Sequence, residues 1–531
     1  MTMDFAGNET ALAGVTNLIT KDRVTMPMTS FTIGYGSWNT IYGRFYHEGS
    51  SGDFHYLFGG TYEQSDYTNY GTRTSWLNMI NDPEYKKGKI YFKTSLFLNP
   101  EAKVSLFAHH TQHVGDVGRP NREYNHQYDL INFLYENKMT EDINLYFKAG
   151  YRYYNRRWEE DNYNLNPPSL SLRSKDGVKQ NIFPFDLSLN YRHWSKSILT
   201  IGTDLQIGTY KTYSEVGGNR NYGNDASSLN YGFYIQEKVI LDKWVFRFGG
   251  RYNYTKHKYD LIGSSVPEIK KKSWNRILWT AGIRYNASEK IGIYANAGSS
   301  FLVPSAKSIG GTLKSSDRGV PGRDGQLPNP GLKPEKGYGF DLGIDLSPSK
   351  EFQIGLRGFF NIVDDAIVEN RISETPSQTQ SVNAGKAKAY GIEAEVNHYH
   401  SDWLIWFVNG TFSKTKVKNP IDSDQDGSNI PFVPKFIANV GATLKLPYEF
   451  QVSPYFQYVG TYYDSSSKRD RKEFGEYATL NMNIKKSLYK TSSYTANLIV
   501  DLNNIFDKKY EMPWQFQDPG FNAMAKIELR F

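Results

Sequence analysis

Three histidines fall within five residues in the stretch "HHTQH", at His109, His110 and His113. In an extended chain successive side chains alternate between two faces, so His109 and His113 share one face and His110 takes the other. Imidazole is a common metal ligand, and this spacing admits a metal or haem contact. A solvated cluster at a strand end is the plainer alternative. A second stretch, "DSDQDGSNIPFV", spaces Asp422, Asp424 and Asp426 like the first ligands of a calcium loop, with Gly427 at the turn position. Val433 stands where such a loop closes with glutamate. Calcium stiffening an external loop is therefore an expectation resting on an incomplete motif, against a solvated acidic turn. No other cofactor is expected.

Enzyme signatures are missing from the sequence. It holds no G-x-S-x-G, no phosphate-binding loop and no H-E-x-x-H, so the chain does not read as an enzyme. The absence of cysteine removes disulfides and thiolate metal sites. A net charge of +7 over 531 residues is modest, and Lys and Arg are scattered. That pattern leaves no footprint for nucleic acid.

The general binding candidates are aromatic and basic residues at or beyond predicted strand ends. Tyr213, Trp274, Phe301, Tyr463, Trp514 and Phe516 can cover the flat or apolar faces of a bulky chelate. Their structural alternative is the aromatic girdle at a membrane interface. Arg220, Lys271, Lys272, Arg318 and Arg323 can draw in an anionic chelate, or form solvated surface near lipopolysaccharide.

The elements that would hold these residues are strands. In "INLYFKAGYRYY", Ile143, Leu145, Phe147, Ala149, Tyr151 and Tyr153 oppose Asn144, Tyr146, Lys148, Gly150 and Arg152. "WVFRFGGRYNY" and "FQIGLRGFFNI" alternate in the same way, and this period of two marks strands. The last stretch, "FNAMAKIELRF", sets Phe521, Ala523, Ala525, Ile527, Leu529 and Phe531 against Asn522, Met524, Lys526, Glu528 and Arg530. Exposed to water, such a strand would invite aggregation. In a closed barrel it pairs with strand one and lipid covers its apolar face.

Tight, turn-rich connections such as 48–53, 99–102, 241–244 and 400–402 alternate with long polar ones at 156–180, 211–228, 302–335, 415–434 and 464–475. No run approaches the roughly 18 apolar residues of a membrane helix. A membrane strand needs only about 10 residues with every second one apolar, which fits a mean hydropathy of −0.59. The fold class predicted is all-β: a transmembrane antiparallel β-barrel of about 22 strands, starting near Val24 and ending at Phe531, with short periplasmic turns and long external loops. Lipid and lipopolysaccharide are its expected surroundings.

Several motifs resemble the TonB-dependent receptor family of ligand-gated outer-membrane transporters. "ALAGVTNLITK" (11–21) is similar to the end of that family's plug domain, and "FTIGYGSWNT" to its first barrel strand. "FLVP" (301–304) followed by "NPGLKPEKGYGFDLGIDL" (329–346) resembles its "F-x-x-P … NPxLKPE" segment. "NAGKAKAYGIEAEV" (383–396), "DLNNIFDKKY" (501–510) and the final Phe531, the barrel-assembly signal, match its later regions.

The resemblance implies a barrel over 24–531, with 1–23 as the end of a plug whose bulk is missing, in the bacterial outer membrane. It implies uptake of a bulky scarce nutrient such as a ferric siderophore or cobalamin, recognised first by external loops. Partners would be the barrel-assembly machinery and a TonB-type energy-coupling complex, the latter through the missing N-terminal segment. Residues 1–30 show no signal peptide, so a truncated chain is the expectation. The alternative is a plugless passive diffusion pore. Haem receptors of the family tend to carry a histidine between the two motifs quoted, and 305–328 holds none, which counts against haem. Plug carboxylates would be the natural partners of the lumen-facing Arg152, Arg247, Arg251 and Arg357.

Overall fold

The computed structural model describes residues 20–66, 71–119, 122–160, 164–165, 168–169, 174–194 and 196–531. Twenty-two antiparallel strands follow one another around a single sheet: β1 (Met28–Gly36), β2 (Thr40–Ser51), β3 (Phe54–Asp66), β4 (Glu84–Asn99), β5 (Ala102–Asp116), β6 (Glu123–Lys138), β7 (Ile143–Glu160), β8 (Ser174–His193), β9 (Ser197–Val216), β10 (Asn219–Leu241), β11 (Trp244–Leu261), β12 (Lys271–Ser288), β13 (Ile291–Leu302), β14 (Glu335–Leu346), β15 (Phe352–Ser373), β16 (Gln378–Ser401), β17 (Leu404–Lys418), β18 (Phe436–Leu446), β19 (Phe450–Val459), β20 (Tyr477–Lys490), β21 (Thr495–Asn503) and β22 (Asn522–Arg530). β1 pairs with β22 from Ser30 opposite Arg530 to Gly36 opposite Met524, so the sheet closes without a free edge. Phe531 finishes the seam: its amide donates to the Thr29 carbonyl at 3.0 Å, and the Thr29 amide returns a bond at 2.7 Å. Its ring stacks 6.0 Å from Phe31.

The tight turns fall where the sequence puts them, and the long connections 302–335, 415–434 and 464–475 lie between β13 and β14, β17 and β18, and β19 and β20. One expected long loop is corrected. Residues 211–228 are mostly strand, and β9 turns into β10 through Gly217 and Gly218 alone, both at positive φ (58° and 82°). Polarity misleads there because above the membrane both faces of a hairpin are wet, while the backbone ladder continues unchanged. The 156–180 stretch is likewise shortened by β7 and β8, and its centre lies mainly outside the described residues.

The outward face shows where lipid ends. On β11 it carries Trp244, Phe248 and Tyr252, all exposed, and then changes to Lys256, Lys258 and Asp260. An apolar band followed by charge is what a membrane-spanning wall requires.

Of the four lumen-facing arginines for which plug carboxylates were the natural partners, Arg251 and Arg357 find carboxylates on the wall itself. Arg251 on β11 reaches over β10 to Asp204 on β9 with bonds of 2.5 and 2.9 Å. Gly232 makes the crossing feasible, since a Cβ there would lie 2.1 Å from the guanidinium. Arg284 crosses Gly292 to pair with Asp345 in the same manner. Arg357 pairs with Glu393 directly opposite at 2.7 Å. Arg247 is exposed to the lumen.

The reading of 1–23 as the end of a plug lies largely outside the described residues. The described part, from Thr20 onward, lies against the lumenal wall of β2 to β5. Asp22 bridges Lys93 (2.6 Å) and Lys103 (2.8 Å), Lys21 pairs with Glu48 at 3.0 Å, and the Val24 amide donates to His55 Nδ1 at 3.0 Å.

Candidate functional site

The external mouth collects most of the predicted residues, in three different roles. Trp274 and Phe301 are not loop surface. They are 8% and 2% exposed and join Tyr259, Ile262, Ile309 and Leu332 in a buried cluster where β12 and β13 part company. Ladder pairing between these strands stops at Thr280 opposite Gly298, and the chain after Phe301 folds back to fill the gap. The same chain is bolted to β16. Asn329 donates to the Ser381 carbonyl at 2.8 Å, and Asn383 both accepts from the Lys333 amide (2.8 Å) and donates to its carbonyl (2.9 Å). Fully buried Gln378 donates to the carbonyls of Asp317 and Arg323 at 2.8 and 2.7 Å. The motifs around "NPGLKPE" and "NAGKAKAYG" therefore lock each other. Arg318 and Arg323 ride on this loop with exposed side chains, Arg323 lying 3.9 Å from Asp317. Lys272 donates to the Pro330 carbonyl at 2.6 Å, which ties β12 to the same loop.

His257 belongs to this cluster, its ring 5.4 Å from Trp274 and its Nδ1 3.3 Å from the Tyr259 hydroxyl. It sits above the apolar band, beside outward Lys256 and Lys258, with Lys272 opposite. Burial pushes its pKa down to about 4, from an ordinary value near 6.5. The unfolded chain thus takes up this proton first. Stability from neutral His257 is complete above about pH 6.5 and falls as pH drops towards 4. Protection factors over 257–262 and 301–309, taken relative to the intrinsic exchange rate at each pH, are expected to fall between pH 7 and pH 5. His257→Leu should flatten that dependence.

Tyr213 is buried against Gly177, with the Arg220 guanidinium 4.4 Å over its ring and Arg220 held by Glu215 at 2.9 Å. This hairpin tip stands apart from the other candidates. Tyr463 and Trp514 do come together, through a residue the sequence reading did not select. Phe432 packs 5.4 Å from Trp514 and its amide donates to the Tyr463 carbonyl at 2.7 Å. Arg471 covers the Tyr463 ring at 3.9 Å. Trp514 is 72% exposed, and both Trp514 and Phe432 hold positive φ (62° and 59°). Bulky side chains seldom adopt that conformation, and such strain clusters at functional sites. Phe516 sits nearby, where its strand bridges to Gly71.

The three aspartates serve the loops. Asp424 accepts from Ser467 Oγ at 2.5 Å and from the Lys468 and Arg469 amides at 3.2 and 3.1 Å, clamping two external loops together. Asp422 caps the Asp424 amide at 2.9 Å, and Asp426 accepts from the Asn419 amide at 3.0 Å. Among the described residues, no three acidic or histidine side chains converge as a cation site.

The histidine stretch behaves as alternation requires. His109 and His113 face the lumen, and His110 faces outward to Asp129. Higher in the lumen, His113 meets His126 and His126 meets Trp158, neither of them singled out from sequence. Tyr124 bonds His113 Nε2 at 2.8 Å, His126 lies 5.4 Å from Trp158, and Arg156 lies 6.0 Å over the same indole. His126 Nε2 and the Arg156 Nε–H are buried with no hydrogen-bond partner among the described residues. Such unsatisfied groups are costly unless something binds them. The signal was available in "RYYNRRW", where alternation puts Arg152, Arg156 and Trp158 on the lumen side.

A closed barrel of 22 antiparallel strands with an outward apolar belt and a basic and aromatic lumen wall is the architecture of an outer-membrane β-barrel. The chain belongs to the family described as TonB dependent receptor-like, beta-barrel, matching it over residues 53–505. It is 22% identical over 279 residues to the ferrioxamine receptor of Yersinia enterocolitica, covering 52% of this chain and 36% of that one. It is 26% identical over 303 residues to the ferric-pyoverdine M114 receptor PbuA of Pseudomonas sp. (strain M114), covering 54% and 33%. The chain thus matches about a third of the length of these relatives. The solved structure of the siderophore receptor PiuA from Acinetobacter baumannii shares the fold, with a TM-score of 0.78 at 14% identity, covering 96% of this chain and 82% of that one. So does the copper transporter OprC, with a TM-score of 0.76 at 14% identity over 96% and 81%.

Proposed function

We propose that this chain is the barrel of an outer-membrane receptor that takes up ferric siderophores, with energy from a TonB-type complex acting through chain N-terminal to the barrel. The observation that carries the reading is the lumenal patch of His113, Tyr124, His126, Arg156 and Trp158, whose unpaired nitrogens lie among aromatic faces. An iron chelate rich in anionic oxygens supplies both acceptors for those nitrogens and flat surface for the rings. The platform of Phe432, Tyr463, Arg471 and Trp514 would meet the ligand first. Of the two nutrient classes open from sequence, the relatives' names favour ferric chelates over cobalamin.

Binding tests this. Quenching of intrinsic fluorescence by a panel of ferric hydroxamates and catecholates should be saturable. Arg156→Ala with His126→Ala should weaken the preferred chelate by about tenfold or more, as loss of a charge-assisted bond implies. Unchanged affinity in that variant would remove the patch from the site.

A further inference from the structure

The outward face of β16 and β17 carries a charge pattern that ligand uptake does not use. Lys386, Lys388, Lys414, Lys416 and Lys418 are all exposed. They continue the alternation of the lipid-facing Ile392, Tyr390 and Phe412, so they stand on the same face. Register sets Lys386 opposite Lys418 and Lys388 opposite Lys416, with Lys414 opposite Tyr390. Backbones in such pairs are about 5 Å apart, and like charges placed directly opposite each other destabilise a ladder. Lys386 is relieved by Asp364 at 2.9 Å. Among the described residues, no ion pair joins Lys388, Lys414, Lys416 or Lys418 to a carboxylate. Outward lysines on other strands are neutralised by a neighbour: Lys86 by Glu84 at 3.3 Å, Lys211 by Asp225 at 2.8 Å and Lys258 by Asp260 at 3.0 Å. The strip on β16 and β17 therefore keeps a concentrated positive charge that the wall leaves unanswered.

We infer that this strip is a specific binding site for lipopolysaccharide, its lipid A phosphates held by Lys388, Lys414, Lys416 and Lys418 and its acyl chains lying on Tyr390, Ile392 and Phe412. Depth selects the occupant. Phe412 opposite Ile392 is the last wholly apolar pair, the lysines begin one row beyond it, and β17 runs on into the long external connection. That is the level at which the outer leaflet presents lipid A phosphate. Charge complementarity selects the head group. A phosphate monoester carries close to two negative charges at neutral pH, so a diphosphorylated sugar answers four ammonium groups, whereas a glycerophospholipid brings a single phosphodiester. Seating it removes the repulsion between Lys388 and Lys416 as well. The site rests on the membrane-spanning character of the barrel and stands apart from siderophore uptake.

Native mass spectrometry of the folded protein in dodecyl maltoside tests this, with hexa-acylated diphosphoryl lipid A as the probe. One lipid A per chain is expected to survive activation that strips detergent. It should persist in EDTA, because lysines rather than a bridging cation hold the phosphates. Retention should fall about tenfold or more in Lys388→Gln with Lys416→Gln, since basic residues beside an anionic lipid add their effects. It should fall in the same way when monophosphoryl lipid A or dimyristoylphosphatidylglycerol replaces the probe. Lys256→Gln with Lys258→Gln removes as much charge from β11 and should keep the adduct. A heat-modifiable gel shift confirms that each variant is folded. Equal retention by wild type and folded Lys388→Gln with Lys416→Gln would overturn the site. An equal loss in the β11 variant would reduce the effect to net charge and overturn it too. Retention of phosphatidylglycerol as strong as that of diphosphoryl lipid A would overturn the choice of ligand, and loss of the adduct in EDTA would overturn the role of the lysines.

Discussion

Replacing Asp204 by alanine is expected to cost the barrel about 3–5 kcal/mol, the penalty for stranding a buried charge. Arg251 and Asp204 side chains are only 7% and 10% exposed, and the two hydrogen bonds between them are parallel. Arg251 also donates to Asn253 Oδ1 at 3.0 and 2.8 Å, so the guanidinium is fixed in place against the wall. Without Asp204 it stays desolvated beside the neutral Asn253. Urea-induced unfolding in detergent, followed by the heat-modifiable gel shift, measures the loss. Asp204→Ala combined with Arg251→Met should recover most of it, because an apolar pair in the same space carries no stranded charge. If Asp204→Ala unfolds with wild type, the pair is solvated and the wall does not balance its own charges.

Asp22→Ala is expected to release the segment before β1 from the lumen wall. Lys93 and Lys103 side chains are 8% and 10% exposed, and Asp22 is the carboxylate they share. Lys103 keeps Glu136 at 2.7 Å, whereas Lys93 keeps, among the described residues, the carbonyl and hydroxyl of Thr20. Breaking a buried ion pair by removing one partner costs about 3–5 kcal/mol, a loss that weakens the hold of residues 20–24 on the wall. Arg23 over the Phe97 ring and Lys21 beside Glu48 should therefore leave the wall as well. Trypsin reports this directly. Cleavage after Lys21 and Arg23 should be slow in wild type and at least about tenfold faster in Asp22→Ala, given those energies. Equal rates would show that the segment is not held by its carboxylate.

Much of the barrel is legible in the sequence because a membrane wall imposes period-two patterning that few other contexts demand. "FNAMAKIELRF" and "WVFRFGGRYNY" reveal strand, face and membrane side together. What escapes is what patterning does not encode. Lys211 to Ser228 reads as loop because both faces are polar, yet the hairpin ladder runs to its tip. Trp274 and Phe301 read as loop aromatics because nothing local shows that β12 and β13 separate and leave a gap to fill. The pairing of Arg251 with Asp204 depends on Gly232 in the strand between them, which is a matter of three-strand register. At the mouth, Tyr463 and Trp514 were visible as candidates. Phe432, which joins them, lies in a different loop and becomes apparent only once the loops are folded. His126 and Trp158 were within reach, since the alternation that places Arg152 in the lumen places Arg156 and Trp158 there too.

The most direct measurement is accumulation of iron-55 from a ferric siderophore in iron-starved cells that lack other receptors and produce this protein. Saturable uptake that a protonophore abolishes, and that Arg156→Ala with His126→Ala reduces, is the predicted result. Uptake that rises linearly with concentration and ignores the protonophore would contradict it, and would mark the barrel as a passive pore.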